Sequence, residues 1–373
     1  MSDNGTKKRV LHITMRWGEG RGGVKQFILN AVSSLDPDRY EQSVLSVGPI
    51  TGDDLGLDLH GPVVNRGGSL SLLLAAPRLE QAIRSSAPDV VHIHCNNGLG
   101  LLYAAVARRA GCVVRECHSH NTAVEAGCVV KRATSFMLKR RFASAPTQRV
   151  ACSDLAGAYL YGSHEFTVVR NGIDVARFVF DPNARRDIRA QYGIDDRAMV
   201  LGNVGSGIPV KNAGFIIDLV RVLVDSGKDV HALLVGSGEE IAVLHNRAID
   251  GRVSDRVHFV GTVGDAWRYY SAMDAFLLPS LYEGLPISLI EAQANGLPCV
   301  ASDAVSAESN VVGLVDFLPL SSPLKEWVLK VSKAAIRGAS RCAEDSLNAQ
   351  HVLSQAGFSL EALRVQLKTL YSS

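Results

Sequence analysis

Short apolar runs bounded by glycine, proline and polar residues recur along the whole chain, and stretches with apolar residues at helical spacing separate them. In the first half, residues 10–14, 43–47, 90–93, 112–116 and 149–152 predict strands, and 24–34, 77–86 and 100–110 predict helices. A polar stretch follows: Asn171-Gly172-Ile173-Asp174 and residues 181–196 read as a connection between domains. The pattern then restarts with predicted strands at 198–204, 231–235, 257–260, 275–278 and 298–301, and a predicted helix at 212–225. Strands alternating with helices predict an α/β chain, in which parallel sheets carry helices on both faces. No internal repeat or low-complexity tract interrupts this order.

The bulk numbers narrow the picture. A chain of 373 residues with 47% apolar content is long for one domain and sufficient for two cores. Lys and Arg number 39 against 37 Asp and Glu, so no global field argues for a nucleic-acid partner. The first residues are polar and no apolar run reaches the length of a membrane span, which leads to the expectation of a cytoplasmic protein. Seven cysteines at irregular spacing fit reduced thiols better than a disulfide frame. Cys112, Cys117, His118, His120 and Cys128 crowd together, but their spacing matches no ordinary zinc pattern, and no metal site is expected from it.

The most informative chemistry lies at 279–292. An apolar strand leads into Ser280-Leu281-Tyr282-Glu283-Gly284, and a helix follows with Pro286 at its first position, where a missing N–H costs nothing. A helix start presents free N–H groups and about half a positive charge, which suits a phosphate. Glu283 in the loop and Glu291 in the helix are spaced so that one carboxylate can face a sugar while the other faces a ribose, with a diphosphate between them on the backbone amides. Gly284 allows the sharp turn. Lys211, after the strand ending at Val204-Gly205, stands at a helix start, where the helix dipole disfavours a cation; a phosphate ligand explains its place there. Gly22 and Gly23 close a glycine-rich first loop that serves either as a plain turn or as a close backbone approach to a ligand. That loop lacks the dinucleotide pattern Gly-x-Gly-x-x-Gly.

The Glu-x7-Glu spacing around Gly284-Leu285-Pro286 resembles the nucleotide-sugar signature of the retaining glycosyltransferase family 4. Val150-Ala151-Cys152-Ser153-Asp154, Asn171-Gly172-Ile173-Asp174, Val204-Gly205 before Lys211-Asn212, and residues 296–303 fall in that family's order. The version with His118-Ser119-His120-Asn121-Thr122 resembles bacterial exopolysaccharide and capsule glycosyltransferases. The resemblance implies the GT-B fold: two Rossmann-like domains facing across a cleft (1–175 and 176–355), with a last helix (356–373) returning to the first. It implies transfer of a sugar from a nucleotide diphosphate donor, preferably a UDP-sugar, to a glycan or polyprenyl-linked acceptor, without a cofactor or metal. By the same resemblance, His118 ends a strand at the cleft and acts on the donor sugar together with Lys211 and Glu283. Gly22, Gly23, Asn171, Gly205, Lys211, Gly284, Leu285, Pro286 and Glu291 would bind the donor.

One departure stands out. The family carries an arginine directly after Val204-Gly205, where this chain has Ser206. A charge-assisted hydrogen bond contributes about 1.5–3 kcal/mol, so Arg16, Arg21 or Arg170 is expected to compensate. Two further readings follow from the layout and from Ser206: a nucleotide-sugar epimerase, or a non-catalytic partner subunit. Residues 129–142 alternate apolar positions with Lys131, Arg132, Lys139, Arg140 and Arg141, and suit either a packed helix or one lying on an anionic membrane.

Overall fold

The apolar runs do form parallel strands, and helices cover them on both faces. This is seen in a computed structural model that describes residues 6–18, 22–65, 69–121 and 129–372. The chain divides into two units, Met1–Gly172 with Leu360–Ser373, and Ile173–Ser359.

The first unit runs β1 (Lys8–Thr14), α1 (Gly23–Ser34), β2 (Tyr40–Ser46), β3 (Asp58–His60), α2 (Ser69–Leu74), α3 (Ala76–Ser86), β4 (Val90–Cys95), α4 (Leu99–Arg109), β5 (Val114–Ser119), α5 (Val129–Phe142), β6 (Gln148–Ala151), α6 (Asp154–Tyr161) and β7 (Thr167–Val168). Its parallel sheet has the order β3-β2-β1-β4-β5-β6-β7. Leu79, Ile83, Leu102 and Tyr103 fill one face against Leu11, Val91 and Ile93.

The second unit runs α7 (Pro182–Gln191), β8 (Met199–Val204), α8 (Gly214–Asp225), β9 (Val230–Val235), α9 (Ile241–Asp250), β10 (Val257–Gly261), α10 (Ala266–Ala272), β11 (Ala275–Leu278), α11 (Ile287–Ala294), β12 (Cys299–Ser302), β13 (Val315–Leu318), α12 (Leu324–Ala339) and α13 (Ala343–Gln355). The sheet order is β10-β9-β8-β11-β12-β13, again parallel. The last helix, α14 (Leu360–Tyr371), belongs to the first unit. Its Leu363, Leu367, Leu370 and Tyr371 pack on Val10, Phe27, Val90 and Val150, on the sheet face opposite α3 and α4.

The polar stretch 181–196 is not a connection. Asp181 accepts a hydrogen bond from the Asn183 N–H at 2.8 Å and Pro182 takes the first helical position, so α7 starts there. Its polarity hides a buried stripe of Ala184, Ile188 and Arg189. The Arg189 guanidinium, 1% exposed, donates to Asp274 Oδ2 at 2.7 Å and to the carbonyl oxygens of Ala272 and Ala198. Asp274 also receives Arg185 Nη2 at 2.6 Å and the Val200 N–H at 2.8 Å. This ionic knot ties α7 to the beginnings of β8 and β11. Arg341 reinforces it by donating to the carbonyl oxygens of Met273, Tyr270 and Gly338, each at 2.7 Å. Buried carbonyls need such donors.

Candidate active site

In each sheet the strand order reverses direction at one place: between β1 and β4, and between β8 and β11. At such a switch the loops leaving the two strands diverge and open a crevice at the carboxyl ends. In the second unit those loops are 205–211 and 279–286. They hold Lys211 and Glu283.

The two loops are stitched together. The Leu281 N–H donates to the Val210 carbonyl at 2.8 Å, and Asn212 Nδ2 donates to the Pro279 carbonyl at 3.1 Å. Asn212 has φ 52°, a left-handed conformation that asparagine tolerates. Lys211 Nζ donates to Glu283 Oε1, and Ser280 Oγ donates to the same oxygen at 3.2 Å. Lys211 and Glu283 are 18% and 17% exposed at the side chain, enough to meet a ligand while screened from bulk water. The Glu283 backbone is fixed on both sides, through its N–H to Ala304 O and its carbonyl from the Ser306 N–H. Lys211 therefore differs from its expected place. It ends a 3-10 turn, Pro209–Lys211, and α8 begins only at Gly214.

Glycine is required where a third loop presses on these. A Cβ at Gly236, φ 131°, would lie 1.9 Å from the Gly205 carbonyl oxygen, and one at Gly238 would lie 2.3 Å from that of Gly207. Backbone thus packs on backbone and holds the Gly205 turn beside Lys211.

Helix α11 starts at Ile287, with Pro286 as its cap residue rather than its first turn, and no side chain caps it. A helix start leaves its first N–H groups without partners in the helix. Gly284, Leu285 and Pro286 are buried just ahead of it. Glu291 lies one turn in, and the Tyr270 hydroxyl donates to its Oε2 at 2.7 Å. Burial, then the Glu291 charge, pushes the Tyr270 phenol well above its ordinary range, so it remains a donor. Sequence spacing gave no sign of Tyr270, which comes from α10 inside an ordinary apolar pattern.

The first unit gathers a different set. β1, β4 and β5 are adjacent and in register, with His12 opposite His92 and His94 opposite His118. Period-two alternation puts His92 with His94, and His118 with His120, on one face. His12 Nδ1 lies 3.1 Å from His94 Nε2, and His94 Nδ1 lies 3.0 Å from His120 Nε2. His92 Nε2 lies 3.1 Å from His118 Nδ1. The Phe27 ring meets His118 edge-on at 4.7 Å. Burial pulls His92, His94 and His118 well below the ordinary imidazole range, and takes His12 to about 4 and His120 to about 3. Glu116, fully buried behind them, is pushed up to about 8 by the same desolvation, against the opposing charge of Lys8.

His118 is therefore not at the strand end. β5 runs on to Ser119, and His118 is a fully buried interior position. His120, half-buried, is the first residue past the strand. The earlier strand start, residues 112–113, is also displaced to Val114.

The remaining expected residues scatter. Gly22 is the extended residue before α1, with φ −69°, and a Cβ on Gly22 or Gly23 would meet nothing within 4 Å, so local geometry does not demand glycine there. Asn171 is buried, and its Oδ1 has no hydrogen-bond partner among the described residues. Arg16 is exposed and Arg170 half-buried, both in the first unit; Arg21 and Cys128 lie outside the described residues. Lys211 is the only Lys or Arg in loops 205–211 and 279–286. On α5, Lys131, Arg132, Arg140 and Arg141 are exposed, but Lys139 turns inward, with its Nζ 3.6 Å from the Tyr159 ring centre and bonded to the Tyr159 carbonyl.

Comparison with known proteins decides what this scaffold is. Residues 22–184 match the model of the glycosyl transferase 4-like domain, and residues 184–314 match that of glycosyl transferases group 1. The chain is 32% identical over 347 residues to EpsF of Bacillus subtilis (strain 168), covering 90% of each. It belongs to the family 4-like glycosyltransferases. A further relative of this glycosyltransferase is the UDP-Gal:alpha-D-GlcNAc-diphosphoundecaprenol alpha-1,3-galactosyltransferase of Escherichia coli, at 26% identity over 81% of each chain. Among solved structures, Anabaena HepE in complex with UDP-glucose matches with TM-score 0.75 at 21% identity, over 98% of this chain and 100% of that one. WaaG, a glycosyltransferase involved in lipopolysaccharide biosynthesis, matches with TM-score 0.75 at 17% identity, over 98% and 100%. These likenesses establish the GT-B fold.

Proposed function

We propose that this glycosyltransferase moves a sugar from a UDP-sugar to a glycan or polyprenyl-linked acceptor, with retention, in the synthesis of an exopolysaccharide or related glycoconjugate. The observation that carries the donor half is the Lys211–Glu283 pair beside the uncapped start of α11. As the glycosidic bond breaks, negative charge grows on the departing diphosphate. A preorganised ammonium and a set of backbone N–H groups stabilise that charge best where water is partly excluded. Lys211 and the N–H groups of Gly284, Leu285 and the first turn of α11 after Pro286 would supply this, with Gly205 allowing close approach. Glu283 would leave part of its hold on Lys211 to accept sugar hydroxyls, and Glu291 would take the ribose diol. With that charge met by protein groups, the donor phosphates need no divalent ion. UDP-bound HepE and the undecaprenol-linked substrate in the name of the Escherichia coli relative support the donor and acceptor classes.

The test is release of UDP from a panel of UDP-sugars with and without a polyprenyl diphosphate-linked sugar. The proposal expects release that depends on the acceptor, and a product with the donor's anomeric configuration by NMR. A sugar isomerised without acceptor would mean an epimerase, and no release under any condition would mean a non-catalytic subunit. Tyr270→Phe should raise the donor KM about tenfold or more with kcat little changed, because it removes one hydrogen bond to a charged group, about 1.5 kcal/mol at the lower end. An unchanged KM would detach Glu291 from donor binding.

Helix α5 carries the acceptor-side proposal. Val129, Val130, Phe136 and Met137 are 60–78% exposed beside Lys131, Arg132, Arg140 and Arg141. Such a face suits the surface of an anionic bilayer, where each basic residue contributes about 1 kcal/mol. Changing these four basic residues to glutamine should cut sedimentation with phosphatidylglycerol-containing vesicles at least tenfold. Equal binding at low salt would remove the membrane role, and Lys139 is left out because it packs on Tyr159.

A further inference from the structure

We propose that His94, His118 and His120 form a binding site for one divalent transition-metal ion of the zinc class, with an open fourth position. This inference concerns the first unit alone and stands whether or not the donor reading above holds. One ring nitrogen from each of the three histidines lies within 4.8 Å of the others. Zinc-class ions favour imidazole nitrogen, and three histidines with a free fourth position make a common open site.

Three observations point to an ion rather than a merely packed cluster. First, His118 Nε2 is fully buried and has no hydrogen-bond partner among the described residues, a cost that a ligand would remove. Second, hydrogen-bond direction aims a lone pair of His94 at His120 Nε2. Gln42 Nε2 donates to the Val32 carbonyl at 3.2 Å, which turns Gln42 Oε1 toward His12 Nε2, also at 3.2 Å. Facing a carbonyl-type oxygen, His12 must carry its proton on Nε2, so its Nδ1 accepts from His94 Nε2. In its neutral form His94 then keeps a bare Nδ1, and that atom points at His120. Third, the spacing is close to what a metal needs. Two nitrogens held 2.0–2.1 Å from a tetrahedral ion lie about 3.3 Å apart, and the His94–His120 pair stands at 3.0 Å.

The rest of the cluster supports these ligands. A metal-bound histidine ordinarily donates its other N–H to an acceptor that fixes ring and tautomer. His94 does so to His12, and His92 meets the Nδ1 side of His118. Entry of the ion asks only that the His120 proton move from Nε2 to Nδ1, with no net proton loss. His120 is the least buried of the three. No spacing motif announces such a site, because His94 and His120 come from different strand ends, 26 residues apart.

The test uses the whole chain, stripped with a chelator and then equilibrated with Co2+ or Zn2+. The proposal expects one equivalent of metal per chain at micromolar free ion, a visible Co2+ spectrum of low-symmetry nitrogen coordination, and a melting temperature that rises with Zn2+. The affinity should fall at least tenfold in His120→Gln and in His94→Gln, and persist in Cys342→Ser, which removes an exposed thiol. His120→Gln alters the least buried of the three positions, so its fold is checked by circular dichroism and its result stands even where His94→Gln does not fold. Absence of stoichiometric uptake by the unaltered chain overturns the proposal. So does uptake that survives His120→Gln unchanged.

Discussion

Lys211→Met should lower kcat/KM with a UDP-sugar by about 10²–10³-fold, mostly in kcat, while the fold survives. The size follows from removing one preorganised charge at the departing diphosphate, typically 2.7–4 kcal/mol of transition-state stabilisation. Ser206 makes the effect larger, since loops 205–211 and 279–286 contain no second cation to share the load. Steady-state kinetics with one fixed acceptor reads this directly. A loss confined to KM would mean that Lys211 binds donor and transition state equally, and a change below threefold would remove it from the chemistry. Its partner makes a control. In Glu283→Gln the ammonium loses its anionic neighbour but keeps the Ser280-anchored loop, so kcat should fall while UDP alone still binds.

Asp274→Asn should destabilise the second unit by about 3–5 kcal/mol, the usual result of leaving a buried charge without its partner. Arg189 would remain 1% exposed with only carbonyl oxygens around it. At about 2–4 °C per kcal/mol for a unit of this size, its calorimetric transition should drop by roughly 6–20 °C, with the transition of the first unit less affected. A shift under 2 °C would show that the knot between α7, β8 and β11 carries little of the stability. Replacing Arg189 and Asp274 together by apolar residues should recover much of the loss, because the desolvation cost goes with the charges.

The fold was legible where burial is two-sided. Ala275–Leu278 is apolar end to end and Val230–Val235 is apolar but for His231, and few other structures explain such runs. Short edge strands were not visible. Asp58–His60 and Thr167–Val168 are brief and partly exposed, so their composition carries little pattern. Helix α7 was misread because its buried face is built around an arginine whose partner, Asp274, lies 85 residues away. The loops proposed to hold the donor were legible for a different reason. Gly-Leu-Pro before a helix and a glutamate on each side are local features, and local features survive in sequence. Lys211 and Glu283 each stand out in the sequence, but their pairing does not, since it depends on β8 and β11 becoming neighbours at the switch point. The histidine cluster shows the same limit. His118 and His120 were visible as a pair, while His12, His92 and His94 join them only through the register of three strands.

The central claim is that one crevice, between the loops after β8 and β11, holds the donor diphosphate. A crystal structure of the enzyme with a UDP-sugar measures this directly. The account predicts phosphate oxygens within hydrogen-bond distance of Lys211 Nζ and of the amides leading into α11, with the ribose on Glu291 and the sugar beside Glu283. Well-ordered nucleotide bound elsewhere, with Lys211 still closed on Glu283, would contradict it.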